Sequence, residues 1–257
     1  MPDQFSRTRM LLGPENMRIL AFAKVAVLGI GGVGGHCAEA LIRSGIGAID
    51  IFDNDRVSLS NMNRQLIATH STLGRYKVEV MKERLLDINP NAQIGAFRLF
   101  YLPETAEQID ISAYDYIVDA VDTVRAKLEL VCRAQAAGTP IISSMGAGNK
   151  LEASALTVAD IYETKACPLA RVMRRELRKR NITALKVVYS PEIPHPPYQD
   201  QEPDETATSA RPADSTHNPR PSTLGRPSRP PSSNAFVPPA AGLIMAGEVI
   251  KDLLGIK

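Results

Sequence analysis

Over the first 160 residues, short unbroken apolar runs alternate with stretches whose apolar residues recur every three or four positions. Residues 24–29 (KVAVLG) form a run of the first kind, the pattern of a strand covered on both faces, and residues 34–44 have the period of a following helix. Residues 48–53 (AIDIFD) predict a second strand. Residues 75–89 predict a helix with Val78, Met81, Leu85 and Ile88 on one stripe, stopped by Pro90. Further strands are predicted at 93–99, 114–120 and 140–143, with a helix at 123–137 between the last two. This alternation predicts a doubly wound α/β fold: a mainly parallel Rossmann-like sheet with helices on both faces.

Residues 190–234 break the pattern. They hold 11 of the 19 prolines and hardly an aliphatic, too little to offset the entropy of ordering. A disordered Pro-rich excursion is therefore expected between a first domain at 1–189 and a C-terminal helical segment at 235–257. That segment should pack back through Leu243, Val249, Ile250 and Leu253.

Composition narrows the classes. The 257 residues suit one α/β domain with an extension, and a net charge of +2 leaves nucleic-acid affinity to a local patch. Cys37, Cys132 and Cys167 are odd in number and far apart, so neither a disulfide framework nor a paired-cysteine zinc site is expected, and a reducing cytoplasm fits. The first residues lack the apolar core of a signal peptide. Residues 236–257 are interrupted by Glu248, Lys251 and Asp252, so no integral membrane insertion is expected.

Gly29-Ile30-Gly31-Gly32-Val33-Gly34 falls between a predicted strand and helix, where glycines let backbone N–H groups approach a phosphate at the positive helix end. Asp53 closes the next strand, where a carboxylate usually holds a ribose hydroxyl. These features alone fit a dinucleotide-dependent dehydrogenase equally well. The residues that follow add Asp55, Asn61, Arg64 and Gln65 (DxDxVxxSNxxRQ), then Lys77. Two cations beside the glycine loop suit a triphosphate, and Asp122, just past a strand, suits Mg²⁺ on that nucleotide. Strand-end caps for Asp119 and Asp122 and an exposed helix lysine for Lys77 are the alternatives; a phosphate-rich site favours metal for Asp122 and function for Lys77.

Taken together, GxGGxG, DxDxVxxSNxxRQ, GxxK and Val-Asp-Ala-Val-Asp resemble the ubiquitin-activating superfamily of adenylating enzymes. The resemblance implies that Gly29, Gly31, Gly32, Gly34 and Asp53 bind ATP, with Arg64 and Lys77 on its phosphates and Asp122 acting through Mg²⁺. It also implies a homodimer in which Arg7, within Phe5-Ser6-Arg7, reaches the partner's ATP. Without that resemblance Arg7 is a solvated charge near a chain terminus. His36 and His70 read as structural; His195 and His217 fall in the excursion.

Within the superfamily, the paired zinc cysteines of the sulfur-transfer branches are absent. Instead Ser144-Met145-Gly146-Ala147-Gly148-Asn149-Lys150, the stretch from Cys167 to Arg180 and Lys186-Val187-Val188-Tyr189-Ser190 are similar to the bacterial tRNA threonylcarbamoyladenosine dehydratases. That implies ATP-dependent adenylation of the threonylcarbamoyl carboxylate on a tRNA adenosine, followed by ring closure. A cysteine desulfurase and its sulfur-acceptor protein are implied as partners, and a monovalent cation is left open. The rival enzyme adenylates the C-terminus of a small sulfur carrier; the rival outside catalysis binds nucleotide without turnover.

Arg171, Arg174, Arg175, Arg178, Lys179 and Arg180 place six cations in ten residues, opposite an apolar stripe of Leu169, Val172, Met173 and Leu177. This suits a phosphate backbone, so Arg171, Arg174, Arg175, Arg178 and Lys179 are candidate tRNA contacts, although a solvated or lipid-facing helix has the same pattern. Cys167, before Pro168 at a helix start and near arginines, is a candidate reactive thiol; an inert thiol at the helix start is the preferred reading.

Overall fold

The computed structural model describes residues 3–196 and 231–256. Its strands are β1 (Lys24–Leu28), β2 (Ala48–Phe52), β3 (Gln93–Phe97), β4 (Tyr116–Asp119), β5 (Ile141–Ser144), β6 (Thr157–Asp160) and β7 (Lys186–Tyr189). They form one sheet in the order β3-β2-β1-β4-β5-β7-β6, parallel throughout except for β6 against β7. The helices are α1 (Ser6–Leu12), α2 (Pro14–Phe22), α3 (Gly34–Arg43), α4 (Lys77–Ile88), α5 (Val124–Ala137), α6 (Pro168–Arg178) and α7 (Val237–Leu254). The first strands run outward from β1 in one direction, and from β4 the chain runs in the other. This reversal opens a crevice at the C-terminal ends of β1 and β4.

The doubly wound sheet bears out the expected fold class. Val25, Val27, Ile49 and Ile51 in the central strands have no exposed surface, as their unbroken apolar runs require. The C-terminal segment is a helix that packs on α3, with Val249, Ile250 and Leu253 of the expected residues against the core and Leu243 turned out. Val237, Ala241, Met245, Ala246 and Val249 are buried, whereas Leu243 is exposed. Small residues let the two helices approach closely, and each fully buried Met or Val contributes roughly 1.5–3 kcal/mol. Polar ties finish the docking: the Tyr116 hydroxyl donates to Asp252 at 2.6 Å, and the Lys186 ammonium donates to Asp252 and Glu248.

Three elements carry no strong period. Helices α1 and α2 bury only Met17 and Leu20 between them, and β6 is a half-exposed edge strand. Of the expected excursion, residues 197–230, including His217, lie outside the described residues. Its two flanks are packed rather than free. Ser190 is fully buried, the His195 N–H donates to Asn149 O, and the Asn149 N–H donates to Ser232 O. Among the described residues no helix is long and apolar enough to cross a membrane.

Candidate active site

A cleft of about 630 Å³ opens over the ends of β1 and β4. Its floor is backbone. Gly29 has φ +90°, and a Cβ there would stand 2.6 Å from Ala120 O; one on Gly34 would stand 1.9 Å from Gly29 O. Only glycine allows the turn to lie against β4 while α3 begins directly from it. Gly31 and Gly32 line the cleft at the N-terminal end of α3, where N–H groups favour an anion.

Asp53 directly follows β2 on one wall. Its Oδ2 accepts the Ile30 N–H at 2.7 Å and its Oδ1 the Asp55 N–H at 2.8 Å, so the carboxylate ties the glycine loop to the strand beside it. Burial pushes the Asp53 carboxyl above its ordinary value, opposed by the Lys77 ammonium 3.9 Å away and by the two N–H donors. Lys77 is itself buried and donates to Asp55 Oδ2 at 2.8 Å. A buried cation on the first turn of α4 opposes the helix dipole, an arrangement that an incoming polyphosphate would reward.

Arg64 lines the cleft with its Nη1 on Ser60 O at 2.9 Å and Asn63 Oδ1 at 2.8 Å. Asn61 has a structural part: its Oδ1 accepts the Ser58 N–H at 3.2 Å and caps the turn that carries Arg64. Gln65 is buried with Oε1 making no hydrogen bond among the described residues, which suits a group facing a ligand. Asp122 lies just beyond β4 in the same cleft and accepts the Thr123 hydroxyl at 3.3 Å. Among the described residues no cluster of three or more His, Cys, Asp or Glu side chains could hold a metal. Mg²⁺ would here combine the Asp122 carboxylate with phosphate oxygens, its usual arrangement on a nucleotide. Arg7 is exposed on α1 and does not line the cleft.

Three neighbours of this site, Lys127, Tyr101 and Lys150, were not among the expected site residues. Lys127 and Asp119 are fully buried and paired at 3.1 Å, and Asp119 also caps the end of β4 by accepting the Val121 N–H at 3.3 Å. The signal was present, since Lys127 lies on the same stripe of α5 as Leu130, Val131 and Ala134, where burying a lysine without a partner would be costly. Tyr101 lines the cleft with a buried hydroxyl lacking a partner among the described residues, and burial raises its pKa. Lys150, in the loop after β5, is buried in the cleft wall; nothing in its sequence neighbourhood signals this.

Helix α6 divides the basic residues. The Arg174 guanidinium is turned inward onto the Thr164 and Ile161 carbonyls at 3.0 and 3.5 Å, so it braces the preceding loop and is a poor phosphate contact. Arg178 lies over the Tyr162 ring, 5.1 Å from its centroid. Arg175, Lys179 and Arg180 surround Glu176, and their hydrogen bonds hold its carboxyl down to about 2. Arg171 is exposed and, among the described residues, without an ion pair. Cys167 is 2% exposed, lines the cleft and accepts the Ala170 N–H on Sγ at 3.5 Å as the cap of α6. Cys37 is in the core, its thiol pushed up by burial; Cys132 is only half-buried. His36 is satisfied structurally, its Nδ1 2.9 Å from Gly32 O.

This geometry defines a Rossmann-like nucleotide-binding domain with cations placed for a polyphosphate. The chain belongs to the ThiF family, whose pattern matches residues 5–257. It is 42% identical over 255 residues to the tRNA threonylcarbamoyladenosine dehydratase of Bacillus subtilis, covering 99% of this chain and 96% of that protein. The Escherichia coli protein of the same name is 37% identical over 176 residues, covering 68% of this chain and 66% of that one. The crystal structure of the E. coli dehydratase in complex with ATP superposes with a TM-score of 0.82 at 27% identity, covering 98% of this chain and 94% of that one.

Proposed function

We propose that this chain cyclises N6-threonylcarbamoyladenosine in tRNA, with net loss of water, through an acyl-adenylate formed from ATP. The observation that carries this reading is the extent of the Bacillus likeness, which takes in both the nucleotide wall and the loops after β5. Gly31, Gly32 and Asp53 would seat the nucleotide, and Arg64 and Lys77 would neutralise its phosphates. Asn61 and Asp55 orient those cations, and the Gln65 amide faces the same space. Asp122 would hold Mg²⁺ with the nucleotide, where the ion would supply charge neutralisation to the leaving pyrophosphate.

The substrate carboxylate then attacks the α-phosphorus, and pyrophosphate leaves with the bridging oxygen. The carbamoyl group of the same substrate closes on the activated carbonyl and expels AMP. Both reacting groups belong to one molecule, so proximity supplies much of the rate without an enzyme nucleophile. The protein's part is to position and to stabilise charge.

Arg7 is exposed near the N-terminus, where a homodimer could bring it to a partner's nucleotide. The exposed cations of α6 and its margin, Arg171, Arg175, Arg178 and Lys179, suit a tRNA backbone. Three free cysteines suit a reducing cytoplasm. A monovalent cation and a sulfur-relay partner remain implied by family resemblance alone. Pyrophosphate release is the decisive assay: it should require tRNA carrying the threonylcarbamoyl group. Equal release with unmodified tRNA, or none with either, overturns the reading.

A further inference from the structure

Three buried lysines line the cleft, and two of them have carboxylates. Lys77 has Asp55 at 2.8 Å and Lys127 has Asp119 at 3.1 Å. Lys150 is different. It is 3% exposed, yet among the described residues no carboxylate pairs with its ammonium, which donates only to the neutral backbone carbonyl of Glu192. The Glu192 carboxylate is turned elsewhere, to the N–H groups of Leu151 and Glu152 and to His195. A buried ammonium without a counter-ion is costly, and burial accordingly lowers the Lys150 pKa, with Cys167 and Glu192 offsetting this only in part.

The loop holds the amine there against that cost. Asn149, in the left-handed region at φ 59°, accepts on Oδ1 from the N–H and hydroxyl of Ser232 at 2.8 and 2.6 Å. Its carbonyl accepts the His195 N–H, and the Asn234 amide donates to Lys150 O at 2.6 Å. Two stretches distant in sequence thus fasten the residues on either side of the lysine head, so the side chain cannot easily swing out to water. A cation kept buried in a cleft wall, with no counter-charge among the described residues, is a site for an anion that arrives with the substrate.

We propose that Lys150 binds the substrate carboxylate that is to be adenylated. This rests on the dehydratase reading above. In the step it serves, one carboxylate oxygen forms a bond to the α-phosphorus and the bond from that phosphorus to the bridging oxygen breaks. Pyrophosphate takes the electron pair, and Lys150 keeps its protons throughout. Its charge lets one anion approach another, and its position selects tRNA that carries the carboxylate over tRNA that lacks it.

The test compares wild type, Lys150→Met, Lys150→Gln and Lys150→Arg, measuring binding of threonylcarbamoylated and unmodified tRNA with a non-hydrolysable ATP analogue present. Wild type should prefer the modified tRNA. Lys150→Met and Lys150→Gln should lose that preference by about tenfold or more, the size of a charge-assisted hydrogen bond, while binding ATP and unmodified tRNA as before. Lys150→Arg should recover part of it. Lys150→Met should also melt at a higher temperature, because it removes an uncompensated buried charge. If either neutral variant folds and keeps the full preference, Lys150 is not the carboxylate site. If wild type itself neither prefers the modified tRNA nor releases pyrophosphate with it, the dehydratase reading fails first and takes this proposal with it.

Discussion

The Asp119 carboxylate and the Lys127 ammonium face each other across 3.1 Å with almost no solvent on either. Ser143 donates to the same Oδ2 at 2.5 Å, and Oδ1 accepts the Val121 N–H at 3.3 Å, so the pair braces from beneath the turn that leads to Asp122. Lys127→Met leaves a buried carboxylate unpaired and should cost about 3–5 kcal/mol in urea unfolding. Adding Asp119→Asn keeps an acceptor for Val121 and removes the stranded charge, so the double variant should regain most of that loss. Equal losses in the single and double variants would mean that the pair braces nothing.

Asp122→Asn keeps size and removes charge at the cleft mouth beyond β4. ATP–pyrophosphate exchange should fall by about a hundredfold or more, as expected for loss of a metal-holding group, with the melting temperature close to wild type. Exchange at the wild-type rate would take Asp122 out of the reaction.

What could be read in advance follows from period and charge. β1 and β2 stood out because a strand buried on both faces must be apolar at every position, and the glycine loop lies where such a strand meets a helix. β7 (KVVY) is as apolar, but it follows a basic helix and pairs with a half-exposed β6, so no alternation announced it. Leu243 was expected inside because leucine usually is; the α3–α7 contact needed small side chains, and alanines and Gly242 took that face. Lys127 was legible as a cation on an apolar stripe. Lys150 was not, since its environment comes from residues 192, 195, 232 and 234, which only the fold brings to it.

If Arg7 completes a partner's site, Arg7→Ala and Lys77→Ala should each be inactive, and their mixed heterodimer should regain activity because one of its two sites has both residues. Co-purification on two different tags isolates that species. Confirmed heterodimers that stay inactive would place Arg7 outside the reaction.

The basic residues of α6 should separate into two classes. Arg174→Gln loses hydrogen bonds to Thr164 and Ile161 and should destabilise the fold by about 1–3 kcal/mol, with the salt dependence of tRNA binding unchanged. Arg171→Gln with Arg175→Gln alters two exposed side chains and leaves Glu176 paired with Lys179 and Arg180, so stability should hold within about 0.5 kcal/mol. The slope of tRNA affinity against salt should flatten by roughly one to two counterions, for modified and unmodified tRNA alike. An unchanged slope would make this face a solvated surface.

Cys167 tests whether ring closure needs a thiol. Its Sγ is buried, faces the cleft and caps α6 through the Ala170 N–H, with Pro168 at the first helical position. A serine hydroxyl is a better cap than a thiol, so Cys167→Ser should fold at least as well as wild type. Cys167→Ala loses the cap and should cost about 0.5–2 kcal/mol. Because the carbamoyl group attacks within its own molecule, both variants should convert modified tRNA to the cyclic product at more than about a third of the wild-type rate, well short of the loss that removing a covalent nucleophile brings. Nucleoside mass spectrometry reads the product, and pyrophosphate release reads the first step. If both variants fold, release pyrophosphate normally and stop before the cyclic product, a thioester on Cys167 carries the second step and direct closure is wrong.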